Sequence, residues 1–490
     1  MNNNGVNPLL PAPVADMSLV PIWVEQAPCW LLQVLPMEII GKICEEVAGA
    51  YNGRRTLALL GRTCRALYSV VMPLLYKNLN DITPHWEWPM TFGPRGHRCQ
   101  LLLRTLSESP ALGRLVRSMD INNDGTGRLC EGLVIPGQYR RLYETLSTVL
   151  LGANHITQDA RLNPTTALLF VHLAPNLTRL TLTMSHNWCD TSYLLYKPAP
   201  HLVQARVTHQ ALTHLTIRWL GGHFEATGAS LHKLNGLLHT VPNLTHLTIE
   251  RARAGTSVTF RLPRLTVLRL PGAHLCVRGL RNLTRWSPNL VHFEMSHDQG
   301  VQWPVRCQPV SPAEVLNCLR PAAASLRWLR VETWVPRPGQ QFSVGYQLLQ
   351  GGVLGAQFTR LKQVAIHWAL IGGRLDDEQR LVKLLRGLPE LEGIFLFGIE
   401  ASYEFERQIA ALAIAALRDG EWPRLRDLRM QSRADPNPPP QPSSHDLMQH
   451  HMQRVQQQMA ALITSHVIVA TNSWDQATSQ FAVPSPEEET

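Results

Sequence analysis

No stretch of uninterrupted apolar residues is long enough to cross a bilayer as a helix, so no membrane span is expected. Residues 1 to 41 contain neither Lys nor Arg, which removes the basic start of a secretory signal and the Arg-rich character of a mitochondrial presequence. Lysine is scarce throughout, so the net charge of +9 rests on arginine. Those arginines are scattered with no basic run, and nucleic acid is not the expected partner. The nine cysteines are odd in number and form no C-x-x-C pair. Several fall within apolar helical patterns, so they read as reduced core residues of a cytoplasmic or nuclear protein. Motifs of bond chemistry are missing as well: there is no G-x-x-x-x-G-K-[ST] phosphate loop, no G-x-G-x-x-G after a strand, no G-x-S-x-G elbow and no H-E-x-x-H helix. The expectation is a non-enzyme without cofactor, with no catalytic or metal-binding residue to name.

What is present is apolar periodicity. At 490 residues and 44% apolar, the chain exceeds one ordinary compact domain, leaving two domains or a repeat array. Residues 1–29 are polar and proline-bearing and read as a disordered lead-in. A helical block is expected over 30–80. It opens with LPMEIIGKI, where Pro36 suits a first helical turn and Ile39, Ile40, Ile43, Cys44 and Val47 share a face. After an Asn-Gly turn signal, Leu57, Leu60, Cys64, Leu67 and Tyr68 recur at helical spacing, and Pro73 is expected to start a further segment.

From there the sequence becomes self-similar. The pattern L-x-x-L-x-L begins at Leu177, Leu212, Leu244, Leu265, Leu290, Leu326, Leu361, Leu391 and Leu425, and an earlier copy at Val116 belongs with them. The long gap from Val116 to Leu177 leaves room for an unrecognised copy. Several copies follow a short amphipathic helix and a Pro-containing joint, as in LHKLNGLLHTVPNLTHLTI. The unit is helix, turn, short strand, and stacking it gives a curved α/β solenoid over 81–432, parallel strands on one face and helices on the other. Copies lie between 21 residues (Leu244 to Leu265) and 36 residues (Leu290 to Leu326) apart. A regular leucine-rich repeat also carries an Asn two residues past the strand. Here that place holds Ser185, Leu220, Ala252 and Ala273, so a degenerate array without a side-chain ladder is expected. Residues 433–446 are proline-rich and read as a linker, 447–465 as a helix, and 466–490 as an acidic disordered tail.

Because the Leu positions point inward, the residues between and after them form an outward strand face. Arg218, Glu250, Arg269, Trp328, Arg330, Glu332, His367, Phe395 and Phe397 are the candidate target-binding residues there, rich in the side chains that dominate hot spots. His214, His246 and His292 occupy one motif position and form a row interrupted by Val267. With no Cys or carboxylate in register, they are expected to be plain solvent-facing positions rather than metal ligands.

LPMEIIGKI, a variable break and TLALLGRTCRALYSVVMPLLYKNL together resemble the F-box, and the form ending in PLLY with a degenerate leucine-rich array behind it resembles F-box proteins of mushroom-type fungi. The resemblance implies a substrate-recognition adaptor of a Skp/cullin/F-box-type ubiquitin ligase, binding a Skp-type linker subunit and an unidentified protein target. It assigns Leu35, Pro36, Ile39, Ile40 and Ile43 to the Skp-facing surface, with Leu57, Leu60 and Leu67 shared between that surface and the block's own core. The alternative is a non-ligase interaction scaffold whose F-box-like block caps the solenoid.

Overall fold

The computed structural model describes residues 35–50, 52–79, 104–122, 171–185, 209–220, 229–254, 261–297, 310–332, 353–371, 379–399, 403–418, 420–432 and 468–470, with single residues at 102 and 349. The lead-in, the linker and the 447–465 helix lie outside them, as does most of the tail. The chain divides into two compact units, Met1–Asn78 and Leu79–Thr490.

The first unit holds three helices, α1 (Met37–Gly49), α2 (Gly53–Gly61) and α3 (Arg65–Lys77). Pro36 precedes α1, and the carbonyl of Pro36 accepts from the Ile39 and Ile40 amides. Asn52, with φ of 62°, makes the left-handed turn between α1 and α2. Gly53 follows because a Cβ there would sit 1.8 Å from the Val47 carbonyl oxygen. Cys64 caps α3, its sulfur accepting from the Leu67 amide at 3.5 Å. Pro73 lies inside α3 rather than starting a new segment. Ile40, Cys44, Leu57 and Val71 form the core, with Leu35, Val47, Leu60, Leu67 and Leu74 packed around it.

In the second unit, among the described residues, eleven parallel strands make one sheet. In chain order its elements are α4 (Pro110–Gly113), β1 (Ser118–Asn122), β2 (Arg179–Ser185), β3 (His214–Leu220), β4 (Ala229–Ser230), α5 (Asn235–His239), β5 (His246–Ile249), β6 (Ala252–Ala254), β7 (Val267–Leu270), β8 (His274–Leu275), α6 (Val277–Thr284), β9 (His292–Ser296), α7 (Pro312–Leu319), β10 (Trp328–Glu332), α8 (Val353–Gln357), β11 (Gln363–His367), α9 (Arg380–Leu385), β12 (Gly393–Ile399), α10 (Tyr403–Arg418), β13 (Asp427–Ser432) and β14 (Ile468–Ala470). The sheet order is β1-β2-β3-β5-β7-β9-β10-β11-β12-β13-β14, and β4-β6-β8 form a small second sheet. This is the expected α/β architecture of parallel strands alternating with helices. β1 pairs directly with β2, Ser118 opposite Arg179, so no further copy intervenes in the sheet.

The motif leucines are the core. Leu180, Leu215, Leu247, Leu268, Phe293, Leu329, Val364 and Ile394 stand side by side at the second strand position, all buried. Consecutive helices lie against one another behind them: the buried Gln408 of α10 accepts from the Leu381 amide of α9 at 3.1 Å, and Thr284 of α6 donates to the Cys318 carbonyl of α7 at 2.6 Å.

The expectation of an array without a side-chain ladder needs correction. A side-chain ladder exists, but at the opposite end of the strands from the usual one. The hydroxyls of Thr178, Thr213, Thr245 and Thr266 each donate to the carbonyl of the matching residue one strand back, at 2.9 to 3.2 Å. In the turn before the strand, the side-chain amides of Asn176, Asn243 and Asn289 donate to the Arg114, Gln210 and Pro263 carbonyls of the preceding copy, at 2.7 to 3.0 Å. The recurring Pro-Asn-Leu-Thr sequence was the available signal. At the far edge of the sheet, Ile468–Ala470 pair with Asp427–Arg429 as the strand β14. Its apolar, partly β-branched composition suits a strand.

Candidate functional site

On α1 the apolar residues divide by helical phase. Ile40, at 5% exposure, belongs to the core of the block and not to its surface. Leu57 is likewise wholly internal, and Leu35, Leu60 and Leu67 are partly buried against that core. Ile39 and Ile43, one turn apart, are 42% and 48% exposed. Met37, Leu59 and Tyr68 are exposed large apolar residues as well. Met37 and Leu59 were missed in sequence, because spacing alone does not say which side of a short helix its partners cover.

The strand face of the sheet can be read as columns, because the parallel pairs are in simple register over the first positions of each strand; β12 and β13 shift only beyond Leu396. The first column runs Arg179, His214, His246, Val267, His292, Trp328, Gln363, Gly393, Asp427. Sequence reasoning placed the three histidines here as solvent-facing residues. They are instead packed on their neighbours, since strands about 4.8 Å apart bring flat rings into stacking distance. His214 stacks on His246 with centroids 4.0 Å apart, and His292 stacks on Trp328 at 3.8 Å with planes 8° apart. The Thr245 hydroxyl gives its single proton to the Thr213 carbonyl, so it accepts from Nδ1–H of His246 at 2.9 Å. Burial, assisted by the charges of neighbouring histidines and arginines, lowers His246 to about 4 and His292 to about 3. At neutral pH the row is therefore an uncharged aromatic surface. Among the described residues no group of His, Cys, Asp and Glu is arranged to hold a metal ion.

The third column turns from threonines (Thr181, Thr216, Thr248) to Arg269, Glu294, Arg330, Ala365, Phe395 and Arg429. Glu294 lies between two arginines, 3.7 Å from Arg269 and 3.2 Å from Arg330, and Arg330 reaches Glu332 at 3.3 Å. Burial raises the Glu332 carboxyl, against the opposing effect of Arg330. Asp427 pairs with Arg429 at 2.8 Å. Nearer the N-terminal end, the exposed Arg218 is 3.9 Å from both Asp120 and Glu250.

The nine candidate face residues thus separate. Arg218, Glu250, Arg269, Trp328 and Glu332 are at least partly accessible. Arg330, His367, Phe395 and Phe397 are buried, which corrects their reading as an open surface. Phe395 and Phe397 cluster with Ala365, and His367 meets Phe397 edge-on at 5.4 Å. The structure also brings some of these candidates together with residues that the sequence did not single out, such as Gln363, Gly393, Asp427 and Arg429. A cavity of about 220 Å³ is lined by Arg269, His292, Glu294, Trp328, Arg330, Gln363, Ala365, Gly393, Phe395, Asp427 and Arg429, among others. Aligning the copies at their first strand position would have flagged Gly393 as the gap in the row. No described helix is long and apolar enough to cross a membrane. Compared with known proteins, the chain matches no family model and no curated sequence.

Proposed function

We propose that this chain is a recognition adaptor: the helical block is an F-box that docks a Skp-type linker subunit of a cullin-RING ubiquitin ligase, and the strand face of the repeat array holds a protein target. The observation that carries the reading is the pair Ile39 and Ile43, large apolar side chains left exposed on the flank of a helix whose neighbouring face already fills the core. An F-box of the type found with leucine-rich arrays in mushroom-type fungi would use such a face. Its contribution is proximity, because tethering raises the effective concentration of target lysines near a charged conjugating enzyme.

The test is co-elution of the full chain with a Skp-type subunit, compared with the Ile39→Ala/Ile43→Ala variant. Truncating two interfacial isoleucines removes about 1 to 2 kcal/mol each, so affinity should fall by at least tenfold while the block stays folded. Undiminished binding by the variant would rule out this face. Absence of binding by the unaltered chain would rule out the adaptor role and leave a scaffold.

A further inference from the structure

The cavity on the strand face exists for a simple reason. In two adjoining columns the large side chains stop at Ala365 and Gly393 and resume at Phe395, Asp427 and Arg429, leaving a notch with Trp328 on its near side. His292 covers one face of the Trp328 ring. The row then continues from the opposite side of Trp328 through Gln363 to Gly393. A volume of about 220 Å³ falls below the ~300 to 1,000 Å³ of pockets that enclose a whole small molecule, and it suits a single large side chain.

The charges lining it are already matched within the protein. Arg330 is held between Glu294 and Glu332, Arg269 lies against Glu294, and Arg429 against Asp427. A strongly charged ligand would have to break one of these pairs. Apart from the arginines, whose guanidinium groups are held in those ion pairs, two buried polar atoms of the lining have no hydrogen-bond partner: Nε2 of His292, a residue only 5% exposed, and Oδ1 of Asp427. A buried acceptor in that condition is unfavourable, and a ligand carrying a hydrogen-bond donor satisfies it.

We propose that the cavity is an anchor site for an uncharged aromatic side chain with a donor, the indole of Trp or the phenol of Tyr, presented by an extended peptide segment lying across β9 to β13. Trp328 and Phe395 supply the stacking walls, and an N–H or O–H is the element that Phe or Leu lacks. Four strand spacings of about 4.8 Å match roughly six extended residues. The assignment deepens the target-binding half of the adaptor reading and rests on it only for the source of the peptide.

The experiment is ligand-observed NMR on the full chain with N-acetyl-tryptophanamide, N-acetyl-tyrosinamide, N-acetyl-leucinamide and the amide of N-acetyl-phosphotyrosine. The Trp and Tyr amides should bind at least tenfold more tightly than the Leu amide, and phosphotyrosine no more tightly than Tyr. Gly393→Ala should bind normally, since its new Cβ meets nothing closer than Gln363 Cγ at 3.5 Å and Asp427 Cβ at 3.7 Å. Gly393→Leu should lose at least tenfold at an unchanged melting temperature, and Ala365→Leu blocks the same notch from the neighbouring strand if the first variant misfolds. Equal binding of Leu and Trp amides, or undiminished binding by both folded Leu variants, overturns the assignment. Tighter binding of phosphotyrosine would make it an anion site instead. Co-elution with the Skp-type subunit is read in parallel, so failure of the adaptor reading registers separately from failure of the cavity.

Discussion

Replacing Ile40 with Ala should unfold the helical block while its neighbour Ile43→Ala leaves it intact. Ile40 is one of four buried core residues of the block, packed with Cys44, Leu57 and Val71. Losing three carbons at about 0.8 kcal/mol each removes about 2.4 kcal/mol of transfer energy, and the void left behind brings the cost into the range of about 2 to 5 kcal/mol. A helical unit of this size has little stability in reserve, because so small a domain buries only a modest share of its surface. Ile43, 48% exposed, contributes within about 0.5 kcal/mol to folding. Hydrogen exchange read by mass spectrometry on the full chain separates the two units. Amides of α1 to α3 should lose at least about thirtyfold in protection in Ile40→Ala, with sheet peptides unchanged, and neither set should change in Ile43→Ala. Equal protection in the two variants would refute the division of α1 into a core face and a free face.

Three further outcomes are expected. Acid should destabilise the repeat unit: His292 and His297 are both nearly fully buried, and burial foremost lowers each from 6.5 to about 3. The unfolded chain therefore binds protons first, so stability is flat above about pH 6.5 and falls as pH drops toward 3. At pH 5 the loss is about 2 kcal/mol per histidine, and a melting temperature constant from pH 7.5 to 5 would contradict it. Gly398→Ala and Gly420→Ala both place alanine at positive φ, 66° and 61°, for about 1 kcal/mol each. Only at Gly398 does the new Cβ also strike the His367 ring, 1.9 Å from Nε2, whereas Gly420 has open space, so denaturant melts should show the larger loss at 398. Thr245→Val removes one rung of the hydroxyl ladder, a 3.0 Å bond to the Thr213 carbonyl, and should cost about 1 kcal/mol by the same measurement.

Much of the architecture was legible because its causes are local. An L-x-x-L-x-L stretch alternates apolar residues at the period of a strand, and the turn and amphipathic helix before it are written within the same few dozen residues. The hydroxyl ladder was legible too, in the Thr that follows Pro-Asn-Leu, but only if the turn and not the far end of the strand was compared across copies. Pro73 was misread because a helix tolerates proline when the segment around it is held by packing, which propensity does not express.

From the sequence alone follow the α/β repeat, the inward leucines and the apolar first helix, all consequences of periodicities that each segment carries by itself. Only the tertiary structure decides which side chains of different copies meet. Copies lie at uneven distances along the chain, so the register that sets His292 on Trp328, or opens a notch at Gly393, is fixed by hydrogen bonds between strands and not by counting. The same holds on α1, where Ile39, Ile40 and Ile43 are equivalent in composition. Packing of α2 and α3 against one side buries Ile40 and leaves the other two as the surface available to a partner.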